Sequence, residues 1–455
     1  MRTLILAAAL AAAPLAAAAQ TPLPPTVAEA PAAVRAMAAG YKALMVCGAL
    51  KNAAAAGGER TLASVEANEL VGIYPELEPL VREMAAEVGE RTVSVAWDGA
   101  MPARTAVWSP GRGCAVMPVG WTGEPAAGGA PARPAPAPFF EEAPAADILA
   151  GLDSPLMDAV ERAMGGGYGE GAATTAVVVL QNGLLVGEWY SQGFGPDIPQ
   201  RTWSVAKSLA GTIIGAAVQR GEVNVNAPAA IADWSRPGDP RAAITLDNLM
   251  RMASGLTSDT AGNRTDALYF GGVGVDEQAP TWPLIAAPGT RYRYANNDTL
   301  LAVLGIADTF EAHPPAELFA RLGMHDTWAE TDWRGNYILS SQVWSTARDL
   351  ARFGQLYLND GVLDGERILP EDWLEYVSRP SGPQPPGEQG YGATFWLFDK
   401  SEGIPADAIS ANGNRGQYVI IVPSRNIVIV RRGEDPAGKR FDHIAFTRDV
   451  LAALD

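Results

Sequence analysis

The run Ser204-Val205-Ala206-Lys207 sets a hydroxyl and an amine three residues apart, and on a helix residues at that spacing share a face. A serine hydroxyl becomes a useful nucleophile only when a neighbouring base takes its proton. Lysine can be that base only when neutral, a state favoured by burial or by a nearby cation. The sequence supplies the burial: Leu209, Ile213 and Ile214, with Ala206, Ala210 and Ala216, leave the helix almost no polar face. With five lysines among 34 basic residues, a lysine inside an apolar helix is unusual for this chain. Ser204 at the helix start also has the helix dipole favouring a developing negative charge. The pattern is short, and a surface lysine that happens to follow a serine spells the same letters, so its meaning depends on its company.

Two clusters supply that company. Tyr294-Ala295-Asn296 lies within Arg291-Tyr292-Arg293-Tyr294-Ala295-Asn296-Asn297-Asp298, after the turn signal Pro288-Gly289-Thr290 and before an apolar helix from Leu300 to Ile306. A tyrosine on such a loop is expected in a cleft. Beside a buried ammonium its hydroxyl should ionise more readily, making it a base for Ser204 or an acid for the leaving group. Asn296 would hold Lys207 and line the substrate pocket. The third cluster is Ala411-Asn412-Gly413-Asn414-Arg415-Gly416-Gln417, just before an edge-like strand. Glycines there let a substrate backbone approach closely. A backbone N–H beside Gly413, with that of Ser204, would form an oxyanion hole, lined by Asn412 and Asn414.

The elements that must position these groups are legible in outline. Ser204 to Arg220 reads as a long apolar helix ended by Gly221. Thr174 to Leu180 and Leu184 to Tyr190 read as strands around Asn182-Gly183, a strong hairpin signal. Thr394 to Phe398, Gln417 to Val422 and Ile427 to Arg431 read as strands, with a closing helix from Phe441 to Leu454. Asp153-Ser154-Pro155 starts a helix with Leu156, Val160 and Met164 on one face. Hairpins at both ends of residues 145–455 imply an α/β unit of α+β type: an antiparallel sheet flanked by helices. Residues 225–345 form a helical second lobe, and the cleft between lobes is a natural active site.

In this order and spacing the three clusters resemble the serine β-lactamase and penicillin-binding superfamily, for which the Ser-x-x-Lys motif is characteristic. The closest likeness is to class C β-lactamase-related hydrolases, including 6-aminohexanoate-dimer hydrolases and family VIII carboxylesterases. It covers about residues 150–455 and takes in Arg201-Thr202-Trp203, Ser254-Gly255-Leu256, Pro288-Gly289-Thr290, Arg348-Asp349-Leu350-Ala351-Arg352-Phe353-Gly354, and Gly416-Gln417 before Val422-Pro423. The resemblance implies a β-lactamase/transpeptidase-like fold with Ser204, Lys207 and Tyr294 as catalytic trio and no cofactor. Where class C β-lactamases carry Lys-Thr-Gly, this chain has Ala411-Asn412-Gly413. That departure points away from β-lactams and towards small esters or amides, with Arg415 as a displaced cation if a carboxylate is bound after all.

The rest of the sequence bounds the setting. A formal charge of −17 argues against nucleic-acid partners and anionic lipid. Residues 1–19 read as a signal peptide: Arg2, the apolar run Leu4 to Leu15, and Ala17-Ala18-Ala19 before Gln20. Export, with the periplasm as the expected compartment and no span in the mature chain, follows. It gives the only two cysteines, Cys47 and Cys114, an oxidising space in which to bridge. Residues 35–120 look like a small accessory unit, with an apolar segment around Cys47, a helix from Glu78 to Val88 and a strand from Thr92 to Trp97; no function is assigned to it. Residues 121–144, rich in Pro, Ala and Gly, read as a linker. The three histidines show no metal spacing, and no Gly-x-Ser-x-Gly elbow supports a Ser-His-Asp hydrolase. The expected partner is a small ester or amide; oligomeric state is open. The competing readings are a peptidoglycan-acting D-aminopeptidase or carboxypeptidase, a β-lactamase, and a ligand-binding protein on the same scaffold.

Overall fold

Alternating β-branched residues build an eight-stranded sheet, in the order Gly390–Tyr391, Trp396–Leu397, Ile409–Gly413, Gln417–Val422, Ile427–Gly433, Thr174–Gln181, Leu184–Tyr190, Glu141–Glu142. These are the elements of a computed structural model that describes residues 25–455 except 73, 126–140, 143–153, 259–264 and 381. The leader at 1–19 and most of the linker at 121–144 lie outside the described residues. All neighbouring pairs are antiparallel except the last, which is parallel. Period-two alternation sorts the side chains between two cores. Val177, Val179, Ile420 and Ile429 pack under the helices Pro155–Met164 and His443–Ala453. Val178, Val419, Ile421 and Val430 face the core that holds Val205–Gln219 and Ala347–Leu358. Asn182 and Gly183 both take positive φ at the hairpin tip, 53° and 77°, as a type I′ turn requires.

Several boundaries differ from the sequence expectation. The strand expected over 394–398 is only Trp396–Leu397, because Thr394 turns left-handed at φ 64°. Gln417–Val422 is an interior strand, paired on both sides, and the third cluster begins on the strand Ile409–Gly413. The helix starting at Glu78 ends at Glu83; Ala86–Val88 is extended and pairs with Thr92–Val95. A tight reversal that bonds Gly89 N to Thr92 O at 2.9 Å makes that pairing available.

Residues 25–120 contribute the helix Ala32–Ala56 and a four-stranded sheet, Ala86–Val88, Thr92–Val95, Arg104–Ser109 and Gly113–Val116. Gly57 at φ 87° ends the helix in the left-handed conformation that favours glycine. The helix is long and apolar enough to cross a membrane by length and composition, but most of it is buried by protein. Its side chains join the same core as Val205, Leu209, Leu300 and Trp344. A Cβ at Gly48 would fall 2.3 Å from the Trp344 ring, so glycine allows the helix to seat there. Cys47 and Cys114 are joined by a disulfide with Cα atoms 6.1 Å apart. Next to it, buried Glu330 accepts a hydrogen bond from Cys114 N at 2.9 Å, and burial pushes its carboxyl up to about 8.

The second lobe consists of short helices, among them Asn296–Leu304 and Pro315–Arg321. A three-stranded sheet, Gln200–Arg201, Val343–Ser345 and Thr327–Ala329, ties it to the turn that carries Ser204. The cleft opens at that junction.

Candidate active site

The chain reaches Ser204 through a sharp turn. Trp203 takes φ 50°, an unusual value for a bulky residue and one that needs support from its surroundings. The Arg201 guanidinium, 3.7 Å from the Trp203 ring centroid, gives that support and is itself anchored by donation to Ser341 Oγ at 2.7 Å. Ser204 then occupies the N-cap position of Val205–Gln219. One turn on, Lys207 is buried at 1 % exposure.

Lys207 Nζ lies 3.0 Å from Ser204 Oγ, 2.7 Å from Asn296 Oδ1 and 2.6 Å from the Ser340 carbonyl oxygen. A neutral amine has two hydrogens and one lone pair, while an ammonium has three hydrogens. Two acceptors that can only accept, and one hydroxyl that can do either, satisfy both forms: an ammonium donates to all three, and in the neutral form two hydrogens go to Asn296 and Ser340 while the lone pair receives the Ser204 proton. Burial, then the Arg201 charge, lowers the lysine from 10.5 to about 7. Around neutral pH a large fraction is therefore unprotonated.

Tyr294 stands over the same amine, its ring centroid 5.2 Å from Lys207 Nζ, with its hydroxyl bonded to Ser204. Tyr391 and Trp396 crowd the ring at 6.0 and 5.5 Å between centroids. The expectation that this hydroxyl ionises readily is corrected. Burial pushes it well above the ordinary tyrosine value, and the Ser204 hydrogen bond offsets only part of that.

Gly413 closes on the turn that carries Ser204. A Cβ there would lie 2.4 Å from the Thr202 carbonyl oxygen and 3.2 Å from Ser204 N, so only glycine lets strand Ile409–Gly413 bring its backbone beside the Ser204 amide. Asn412 Nδ2 donates to Gln389 Oε1 at 3.1 Å, and Asn412 Oδ1 has no hydrogen-bond partner among the described residues. Ser204, Tyr294, Asn296, Asn412, Gly413 and Asn414 line one cavity of about 520 Å³, within the range of small-molecule sites.

Arg415 does not face that cavity, which corrects its expected role as a displaced cation. At φ 58° its side chain turns away, paired with Glu434 and donating to the carbonyls of Asn68 and Val71 at 2.9 Å each. The cation that lines the cavity is Arg440, exposed in the loop before the closing helix. Sequence reasoning missed it, along with Trp203, Tyr269, Gln389 and His443. Arg440 and His443 follow Gly438 at the start of an apolar helix, a position where polar residues could have been flagged. Gln389 and Tyr269 carry no local signal. His443, stacked on Tyr418 at 4.3 Å and bonded to Gln389 Oε1 at 3.0 Å, is held neutral by burial, which lowers it to about 3.

Known proteins are similar to this chain over roughly two thirds of its length. A family model described as Beta-lactamase matches residues 157–452. The 6-aminohexanoate-dimer hydrolase of Paenarthrobacter ureafaciens is 26% identical over 325 residues, covering 63% of this chain and 80% of that one. A structure from Bacillus anthracis, assigned by name to the 6-aminohexanoate-dimer hydrolases, has a TM-score of 0.53 at 25% identity, with 62% of this chain and 79% of that chain covered. The octameric penicillin-binding protein homologue from Pyrococcus abyssi shares the fold at 18% identity and TM-score 0.50, over 65% and 76% of the two chains. The matched stretch carries every strand of the large sheet but its shortest parallel edge, and the chain is a serine hydrolase belonging to the beta-lactamase family.

Proposed function

We propose that the protein is an exported hydrolase that cleaves a small ester or amide through an acyl-enzyme on Ser204. The observation that carries this reading is the buried Lys207 amine 3.0 Å from Ser204 Oγ, with its other two contacts taken by acceptors. Neutral Lys207 takes the Ser204 proton as Oγ attacks the substrate carbonyl. The negative charge that develops on the carbonyl oxygen is met by the backbone N–H of Ser204 and one beside Gly413. As the tetrahedral centre collapses, Tyr294 gives its phenolic proton to the leaving oxygen or nitrogen and is reprotonated from the Lys207 ammonium. Water then attacks the acyl group, the proton flow reverses, and the free acid departs. Export rests on the leader pattern at 1–19 and is supported by the Cys47–Cys114 bridge, which persists in oxidising compartments.

The substrate class rests on the third cluster. A β-lactam presents a carboxylate beside its ring. Ala411 and Asn412 stand where a lysine and a threonine would hold it, and a neutral amide attracts a carboxylate far less than an ammonium does. The named likeness to 6-aminohexanoate-dimer hydrolases, which the Bacillus anthracis and Paenarthrobacter ureafaciens proteins carry, supports a linear amide or ester. One observation favours β-lactam hydrolysis as a second reading: Arg440 lines the cavity with Asn412. Side-by-side kcat/KM values on nitrocefin, a nitrophenyl butyrate and a linear 6-aminohexanoate dimer decide between the two. The acyclic substrates are expected to lead; a preference for nitrocefin above about a hundredfold, roughly 2.7 kcal/mol of transition-state stabilisation, would overturn the reading in favour of Arg440 as carboxylate holder.

A further inference from the structure

We propose that the accessory region has a function in specificity: its segment Tyr74-Pro75-Glu76 is the end wall of the acyl pocket and sets the length of acyl chain the enzyme accepts. The inference rests on the reading of Ser204 as nucleophile. These three residues line the same cavity as Ser204, although they lie more than eighty residues before the stretch matched by the family. The leaving group must sit by its proton donor, Tyr294, which is flanked by Tyr391 and Trp396. The acyl chain is assigned to the part of the cavity lined by Tyr74, Pro75 and Glu76. The Tyr74 ring packs on Phe270, the residue after Tyr269, at 5.4 Å between centroids, and Tyr269 lines the same cavity.

The wall is held, not loosely draped. Tyr74 also packs edge-on against Tyr41 of the long buried helix at 5.2 Å. The Tyr41 hydroxyl donates to the Glu69 carbonyl at 2.9 Å, and the amides of Leu77 and Glu78 bond back to the Tyr74 carbonyl at 2.9 and 2.8 Å. Gly72, at φ 70°, presses against Pro436, where a Cβ would come within 2.9 Å of the ring, and its carbonyl accepts from Ala437 N. Arg415 completes the anchorage from the turn that follows strand Ile409–Gly413, through the carbonyls of Asn68 and Val71. This explains why a cation stands two residues beyond Gly413 without facing substrate: it clamps the wall to the strand that carries the oxyanion backbone. A pocket closed in this way takes a compact, unbranched acyl group and stops a long one at Pro75 and Glu76.

The test uses fluorophosphonates with a short and a long alkyl chain on the full exported protein. In each, a Ser204 Oγ–phosphorus bond forms, the phosphorus–fluorine bond breaks, fluoride leaves and Lys207 takes the proton. Pro75 and Glu76 are exposed, so the double variant Pro75→Ala/Glu76→Ala and the filling variant Glu76→Trp should both fold, which a melting curve checks. The ratio of long-chain to short-chain labelling rate at Ser204 is expected to rise about tenfold in the first and to fall in the second, the discrimination that a methylene or two of pocket space supplies. The same shift is expected in kcat/KM for nitrophenyl octanoate against acetate. Ratios that stay at the wild-type value in both folded variants would overturn the wall while leaving the nucleophile intact. Failure of both reagents to modify Ser204 in the wild type would overturn the nucleophile, and the wall with it.

Discussion

At the scale of single residues, the proposed chemistry turns on the protonation of Lys207. Its value of about 7, against an ordinary 10.5, comes first from burial and then from Arg201. In the proposed mechanism the base is neutral Lys207, so kcat/KM is expected to rise with pH through about 7 and level off above it, while Tyr294, pushed well above the ordinary tyrosine value, remains a proton donor across that range. The same shift means that the native state binds fewer protons than the unfolded chain between about 7 and 10.5. Lys207 therefore costs stability below that window, and the cost is relieved as pH rises through it. Lys207→Arg keeps a cation but removes the base, because arginine stays protonated. A folded variant with kcat lower by at least about a thousandfold is expected, at the upper end of what a positioned general base supplies. Wild-type turnover in that variant would make Lys207 a structural residue. A pH–rate profile of Arg201→Gln adds a check: removing the neighbouring charge should move the rising limb to higher pH.

At the scale of elements, what matters is how closely strand Ile409–Gly413 approaches the nucleophile turn. Gly413→Ala places a methyl 2.4 Å from the Thr202 carbonyl oxygen and 3.2 Å from Ser204 N. The strand must retreat, and the backbone donor beside it leaves the oxyanion position. A loss of about a hundredfold in kcat is expected, the size seen when one oxyanion donor is removed; an unchanged kcat in Gly413→Ala would remove this strand from the oxyanion site. The sequence made this element visible only in part. The hydroxyl–amine helix and the Asn182-Gly183 hairpin depend on residues within a few positions of each other, so spacing and turn chemistry reveal them. Asn296 was legible as a lysine partner because it sits two residues from Tyr294 in a short polar loop. The turn at Trp203 and the orientation of Arg415 were not legible. Both depend on partners far along the chain, such as the Val71 carbonyl 344 residues from Arg415, and a left-handed φ on a tryptophan or arginine leaves no mark in the letters.

At the scale of the whole molecule, the accessory region and the hydrolase unit share a core. Helix Ala32–Ala56 packs with Val205, Leu209 and Trp344, and Glu330 of the second lobe bonds the amide of Cys114. The bridge closes a loop with a sequence separation of 67. In the chain-entropy account, that contributes roughly 4 kcal/mol. Its loss is expected to lower the melting temperature of the entire protein in one transition, read by calorimetry on a Cys47→Ser/Cys114→Ser variant. A separate early transition would instead mean that the accessory region unfolds alone. Below the melting temperature Ser204 should still react, because neither cysteine touches the cleft. The measurement that tests the central claim most directly is peptide mapping by mass spectrometry after reaction with a fluorophosphonate. The phosphonyl mass is expected on the peptide that contains Ser204 in the wild type and is expected to vanish in Ser204→Ala. Undiminished labelling of the Ser204→Ala protein, or a modified serine elsewhere in the wild type with Ser204 untouched, would contradict the assignment of Ser204 as the nucleophile.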